Sequence, residues 1–337
     1  MHSDTAAVRQ GEELNVANLS AWIGAPVAVE QFPGGHSNLT YLIRTTDGEY
    51  VLRRAPLGPI APKAHDMARE FRVLSAVHPH FPEAPKVFRL CEDPQVTGST
   101  FFLMERRRGH ILRDSIPVEL PDTPAEISAL FVDSLARLHS VPLTGDVAAI
   151  GRPEGFVERQ VRGWADRWRR AQTEELPLME DVVAWLENHL PRGGRATIVH
   201  NDYKLDNVML APGRVAAVLD WEMATIGDPL ADLGLTLAYW CWVNRPDVRT
   251  AGIPALTLEP GWFSRTGLLE HYERITGYDV GKIGYFEVLG VFKLAVIVQQ
   301  IYLRYHRGQT ADKRFQDFGN RANALVLLAA ELAQRHA

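Results

Sequence analysis

The residues His200-Asn201-Asp202-Tyr203-Lys204-Leu205-Asp206-Asn207 constrain this chain more than any other stretch. The segment is polar, yet short apolar runs bound it, Thr197 to Val199 before and Val208 to Leu210 after. Ala211-Pro212-Gly213 then predicts a turn, and Val218-Leu219-Asp220-Trp221-Glu222 follows. Asn207 and Asp220, thirteen residues apart, therefore belong to two strands joined by a tight hairpin. A fold for this chain must carry a polar loop and that hairpin together.

The spacing H-x-D-x-x-x-x-N, followed by a strand ending in a second Asp, is that of a phosphoryl-transfer loop. The residue types suit the chemistry. A hydroxyl attacking a γ-phosphate must be oriented and must lose its proton, which calls for a carboxylate beside it, here Asp202. The phosphate charge calls for Mg²⁺, a hard cation that prefers oxygen ligands, and Asn207 and Asp220 offer them. His200 is expected to orient the loop, because Asp202 already holds the acceptor side.

Strand signals fill the first hundred residues. Val27 to Phe32, Leu39 to Thr45 and Glu49 to Arg54 read as strands, with Asp47-Gly48 predicting a two-residue type I′ hairpin. Met67, Phe71 and Leu74 mark a helix, and Val87 to Cys91 and Phe101 to Glu105 mark two more strands. After Gly109 the pattern is mostly helical. Asp122-Thr123-Pro124 with Glu126 starts one helix, and its apolar face runs from Ile127 to Leu138. Met179 to Leu190 marks a second, and Phe286 to Tyr305 a long one. The expected organisation is α+β: residues 1–106 as a small β-rich lobe, and residues 107–337 as a larger, mainly helical lobe with a short β insert.

Composition excludes several classes. With 46% hydrophobic and 23% charged residues, the chain is not of a disordered or low-complexity kind. A formal charge of −5 gives no footprint for nucleic acid. The uncharged run Asn15 to Val29, fifteen residues with Asn, Ser, Gly and Pro among them, is too short and too polar to span a bilayer. Asp4, Arg9, Glu12 and Glu13 stand where an export signal needs apolar residues. Cys91 and Cys241 offer neither a disulfide framework nor metal-ligand spacing. A cytoplasmic protein is expected, with neither membrane nor nucleic acid as partner; nothing fixes its oligomeric state.

His200 to Leu210, Leu219-Asp220-Trp221-Glu222 and Gly227-Asp228-Pro229-Leu230-Ala231-Asp232-Leu233-Gly234 together resemble the aminoglycoside phosphotransferase and choline kinase-like family. The resemblance is closest to the branch that includes the kinase-like domain fused to some acyl-CoA dehydrogenases. It runs from about Glu30 to about Arg304. It implies a protein-kinase-like two-lobed fold, ATP as phosphoryl donor, and a small-molecule hydroxyl as acceptor. It also implies that Asp228 and Asp232 support the loop, and that Lys204 meets the transferring phosphoryl group.

Under that resemblance the first lobe should hold ATP. Pro33-Gly34-Gly35-His36-Ser37-Asn38 lies where a phosphate-covering loop belongs. Its two glycines admit backbone N–H groups to the phosphates, and Ser37 or Asn38 could donate further bonds. Arg53 stands where a phosphate-binding Lys is expected, and strand alternation sends Arg54 to the other face. Glu70, on the next helix, is the expected partner of Arg53. Glu105 carbonyl and Arg107 N–H would read the adenine edge, with Met104 against the ring. The Arg106–Arg108 run is either a solvated hinge or an attraction for an anionic acceptor.

Other residues keep two readings. Glu222 could touch a second metal ion through water or bond to backbone. His139 reads as a helix-end cap. Tyr239-Trp240-Cys241-Trp242 could line an acceptor pocket or be core. Lys293 and Arg304, eleven residues apart on one helix, could form a basic stripe toward the acceptor. The acceptor expected from the branch is a hydroxyacyl-CoA or another metabolic alcohol. An aminoglycoside, or no acceptor at all in a nucleotide-binding regulatory pseudokinase, are the alternatives.

Overall fold

The computed structural model describes residues 4–33, 38–56, 66–240, 255–310 and 312–336. The chain divides into two compact units, Met1–Gly109 with Ala216–Met223, and His110–Val215 with Ala224–Ala337. The first boundary falls at Gly109, and the segment carrying Asp220 belongs by its contacts to the first unit.

The first unit is built on α1 (Val16–Ile23), β1 (Ala28–Gln31), β2 (Leu39–Thr45), β3 (Gly48–Arg54), α2 (Met67–Val77), β4 (Val87–Cys91), the single turn α3 (Pro94–Thr97) and β5 (Phe101–Glu105). The strands form an antiparallel sheet in the order β1-β2-β3-β5-β4. Alternation decides what each strand offers. On β2 and β3, Tyr41, Ile43 and Leu52 go into a core shared with Leu19, Phe101 and Leu103. The β2–β3 hairpin corrects the expected turn. Its two loop residues are Thr46 and Asp47, because Thr45 pairs with Gly48. Neither has positive φ, which type I′ requires; the left-handed conformation falls on Gly48, at φ 148°. Asp66 caps α2 by accepting from Arg69 N.

The second unit comprises β6 (His110–Ile111), α4 (Pro124–His139), the short α5 (Gly145–Ala148), α6 (Phe156–Ala171), α7 (Pro177–Asn188), β7 (Thr197–Val199), β8 (Val208–Ala211), the start of β9 (Arg214–Val218), β10 (Thr225–Gly227), α8 (Pro229–Tyr239), α9 (Arg265–Thr276), α10 (Ile283–His306) and α11 (Phe318–Arg335). Thr123 and Glu126 close a capping box on α4, as the sequence signal predicts. β7 pairs with β10, and β6 with β8, so the polar loop has a strand on each side.

α10 is the axis of this unit, packed against α6, α8 and α11. By length and composition it could cross a bilayer, which a search for uncharged stretches overlooks because Lys293 interrupts it. Its apolar residues serve the interior instead: Val288, Val291, Phe292, Ala295 and Val296 are fully or almost fully buried. Gly290 lets α10 touch α8, where a Cβ would lie 2.4 Å from the Gly234 carbonyl oxygen.

Candidate active site

In the second unit the polar loop begins with backbone strain. Asn201 has φ 64°, and the only other non-glycine residue with positive φ among those described is Asp220, at 67°. Asn and Asp tolerate this conformation best, yet it still costs about 1 kcal/mol. Both sit in the segments that the sequence singles out for chemistry.

Asp232 holds the loop in place. Fully buried on the first turn of α8, it accepts from His200 N through Oδ2 and from Asn201 N through Oδ1, each at 2.6 Å. His139 Nε2 lies 3.2 Å from Oδ2, and its Nδ1 lies 2.7 Å from the Tyr272 hydroxyl. Burial pushes the Asp232 carboxyl up, but the His139 hydrogen bond, the His139 and His200 rings and the His200 N–H outweigh it and hold it below the ordinary range. His139 is thus a buried link to the loop and not a helix-end cap; Ser140 occupies the cap position. Asp228 does cap α8, through Leu230 N at 3.0 Å.

Asp202, Lys204 and Asn207 come together. Asn207 Nδ2 donates to Asp202 Oδ2 at 2.8 Å and to the Asp202 carbonyl at 2.8 Å. Lys204 Nζ lies 3.0 Å from the same Oδ2 and 4.8 Å from the centre of the Tyr239 ring. Burial would lower the Lys204 pKa, but Tyr239, Asp202 and Asp206 reverse this and raise it above an ordinary lysine. Lys204, Tyr239, Phe131 and Thr236 line one recess. At its edge Asp206 has a cationic neighbour, Arg113 Nε at 3.6 Å.

Lys293 and Arg304 do not form the expected stripe. Lys293 is 6% exposed and donates from Nζ to the Asn201 carbonyl, with the Trp164 ring centre 5.2 Å away. Burial pushes its pKa down to about 8 against the pull of Asp202 and Asp232. Arg304, in the last turn of α10, is exposed. One helix passes from core to solvent over those eleven residues, so a shared side does not give a shared environment. Trp240 is core, packed on Phe131 and Trp262 and donating to the Phe263 carbonyl at 2.9 Å. Cys241 and Trp242 lie outside the described residues.

In the first unit a second cluster forms around one guanidinium. Arg53 Nε donates to Glu70 Oε2 at 2.9 Å, and Nη2 donates to Asp220. Glu70 is almost fully buried on α2. Burial raises its pKa, Arg53 lowers it, and Asp220 and Glu222 raise it again, leaving it at about 7. The raised direction has a plain cause: the carboxyl is buried, and Asp220 and Glu222 add negative charge that Arg53 offsets only in part. Such an excess of oxygen-borne negative charge suits a divalent cation at Asp220. Among the described residues no group of three or more Asp, Glu, His or Cys is placed to hold a metal by itself. Mg²⁺ characteristically takes one or two protein ligands and completes its shell with phosphate and water, and the side-chain oxygens of Asn207, in the second unit, and of Asp220, in the first, are each of the hard kind it prefers.

Glu222 accepts from Asn38 Nδ2 through Oε2 at 3.0 Å, and its carbonyl accepts from Arg69 at 2.8 Å. Asn38 therefore sits beside an acidic residue here. Gly34, Gly35 and Ser37, the rest of the expected phosphate-covering loop, lie outside the described residues. Arg54 points the other way, fully buried, toward the Thr97 and Ala55 carbonyls. At the end of β5, Met104 is buried in register with Val51 and Val87, and Glu105 N donates to the Lys86 carbonyl at 2.7 Å. In the Arg106–Arg108 run the first two side chains are largely covered and Arg108 is exposed to solvent, but all three are engaged by acids. Arg106 pairs with Asp4 and Glu49, Arg107 with Glu105, and Arg108 with Glu49.

Known proteins bear on this arrangement. The pattern of the phosphotransferase enzyme family matches residues 28–267. The chain is 34% identical over 328 residues to acyl-CoA dehydrogenase family member 10 of Mus musculus, covering 92% of this chain and 30% of that one. It spans less than half the length of the curated relatives it matches. A solved structure from Ralstonia eutropha, named provisionally as an aminoglycoside phosphotransferase, is 30% identical, with a TM-score of 0.77 over 96% of this chain and 99% of its own. A thermostable mutant of aminoglycoside phosphotransferase APH(4)-Ia, in ternary complex with AMP-PNP and hygromycin B, shares the fold. It has 18% identity and a TM-score of 0.59 over 93% of this chain and 97% of its own.

Proposed function

The chain belongs to the phosphotransferase enzyme family, and from that premise we propose that it moves the γ-phosphate of ATP to a hydroxyl of a small metabolic alcohol, a hydroxyacyl-CoA in particular. The observation that carries the reaction is the state of the Asp202 carboxylate. Asn207 and Lys204 both bind Oδ2, which fixes the carboxylate plane and leaves Oδ1 to accept the acceptor's proton. Geometry of this kind supplies orientation, and orientation is most of what phosphoryl transfer asks of a protein.

The other residues take supporting roles. Asn207 and Asp220 would hold Mg²⁺, which when bound neutralises charge on the phosphates. Arg53 keeps Glu70 through Nε and would offer the guanidinium N–H groups that Asp220 does not engage to a phosphate oxygen. Lys204 stabilises the phosphoryl group in transit. Gly34, Gly35, Ser37 and Asn38 would cover the phosphates, while the Glu105 carbonyl and the Arg107 N–H read adenine with Met104 against the ring.

The charge on the acceptor side supports a neutral or anionic alcohol over an aminoglycoside. A cationic antibiotic needs free carboxylates. Here Asp202 is engaged by Lys204, and Asp206 has Arg113 beside it. The acyl-CoA dehydrogenase names of the curated relatives favour a thioester acceptor.

The test is ADP release from Mg-ATP over a panel of 3- and 4-hydroxyacyl-CoA thioesters, choline, homoserine, sugars and aminoglycosides, with Asp202→Ala as blank and product mass determined. Asp202-dependent turnover of a thioester is the expected result. Turnover of an aminoglycoside alone would overturn the acceptor assignment. Nucleotide binding without any turnover would favour a regulatory pseudokinase.

A further inference from the structure

A buried lysine is an expensive core residue. Methionine would fill the volume of Lys293 with no charge to desolvate. Yet Lys293 stands among Val291, Phe292, Leu294 and Ala295, the most apolar stretch of α10, and makes no ion pair among the described residues. Its one hydrogen bond goes to the carbonyl of Asn201.

That carbonyl belongs to the peptide joining Asn201 to Asp202. Asp232 grips Asn201 from its N–H side, which fixes the preceding peptide. That contact does not reach ψ of Asn201 or φ of Asp202; on the far side of the peptide Asp202 is held by Asn207 and Lys204. A left-handed residue relaxes readily by rotating the peptide that follows it, and here that rotation would swing the Asp202 carboxylate away. The ammonium opposes this rotation. Its own freedom is small, because the Trp164 ring lies 5.2 Å from Nζ and the helix around it is buried.

We propose that Lys293 is a positioning residue for the transfer reaction: from inside the helical bundle it clamps the Asn201 carbonyl, and together with Asn207 and Lys204, which hold Oδ2, it sets the direction of the Asp202 carboxylate. The proposal rests on Asp202 being the proton acceptor, and its test separates the two. The clamp is read by amide hydrogen exchange across residues 200–203, and the chemistry by ADP release from Mg-ATP with water as the acceptor. The full chain, Lys293→Met, Lys293→Gln and Asp202→Asn are compared, with the Kd for Mg-ADP measured on each.

Lys293→Met should speed exchange at 200–203 about tenfold and lower turnover about 10- to 100-fold, with Mg-ADP affinity within twofold of wild type. Lys293→Gln, which keeps a neutral donor, should recover part of both. Wild-type exchange at 200–203 in Lys293→Met, or a loss of turnover matched by an equal loss of Mg-ADP affinity, would overturn the clamp. If Lys293→Met does not fold, the wild-type chain decides. Its ¹⁵N-labelled Lys293 ammonium should show slow exchange with water and a through-bond coupling to the Asn201 carbonyl carbon, and absence of both refutes the contact. Full turnover by Asp202→Asn would instead remove the assigned role of Asp202 while leaving the exchange result standing.

Discussion

Asn207 Nδ2 lies 2.8 Å from Asp202 Oδ2, so the residue expected to ligate a metal also fixes the orientation of the residue expected to take the proton. Removing either therefore has different consequences. Asp202→Asn should cut kcat by about 10²–10⁴ while leaving ATP affinity nearly unchanged, since the carboxylate acts only on the acceptor hydroxyl. Asn207→Ala should raise the Mg²⁺ requirement as well. Steady-state kinetics at several Mg²⁺ concentrations checks both. Equal Mg²⁺ dependence in wild type and Asn207→Ala would disprove the double role.

Arg53 joins Glu70 and Asp220 through two different nitrogens of one planar group. A lysine cannot hold both geometries. Arg53→Lys should raise the KM for ATP roughly tenfold, about 1.4 kcal/mol. Arg53→Met leaves the buried Glu70 without its cation, and breaking such a pair typically costs about 3–5 kcal/mol. The sign with pH follows from Glu70, already lifted to about 7 and lifted further without Arg53. A raised carboxyl pKa means the folded form binds more protons, so the penalty shrinks as pH falls. Denaturant melts of Arg53→Met in metal-free buffer at pH 8 and pH 5 should show the larger deficit at pH 8.

Asp232 satisfies two backbone N–H groups and meets His139 in a site without water access. Asp232→Ala would orphan all three, at roughly 1–3 kcal/mol each before relaxation. Its carboxyl is held below the usual range, so its stabilisation is present above the unfolded pKa and is lost as pH falls through the lower, folded value. Acid unfolding should accordingly lose one proton-linked step in Asp232→Ala. A midpoint within 2 °C of wild type at pH 7 would show that the brace is dispensable.

Much of this arrangement is legible in the sequence, for physical reasons. Strand alternation separates Arg53 from Arg54, and a helix in the right place with one acid on the border of its apolar face indicates Glu70. The capping box at Thr123 and Glu126 is a local interaction, so local sequence specifies it. What escapes are the features set by contact at long range. Lys293 meets Asn201 across 92 residues, and nothing in the periodicity of α10 distinguishes a buried lysine from an exposed one. His139 reads as a helix end because its partners, Asp232 and Tyr272, are 93 and 133 residues away. The left-handed conformation of Asn201 and Asp220 carries a weak signal, since Asn and Asp tolerate it and do not require it. Pairing of Arg106, Arg107 and Arg108 with acids is likewise invisible in a run of like charges.

Lys293 makes a prediction for stability alone. Burial brings its pKa from 10.5 to about 8 in the folded chain. At pH 7 the ammonium is kept, and the fold bears the cost of desolvating it. Above pH 8 the folded chain releases that proton while the unfolded chain still holds it. The unfolded state then binds more protons, so stability rises with pH through the window from about 8 to 10.5. Each pKa unit is worth about 1.4 kcal/mol, so the full gain is on the order of 3 kcal/mol. Deprotonation of other groups, the buried tyrosines included, works in the opposite direction at the upper end, and for that reason the quantity to measure is a difference. Subtracting the unfolding free energy of Lys293→Met from that of wild type at each pH should give a curve that climbs between pH 8 and 10. A flat difference curve would mean that the ammonium is solvated or paired in solution. It would also remove the premise that the fold bears a cost to keep this cation behind Asn201.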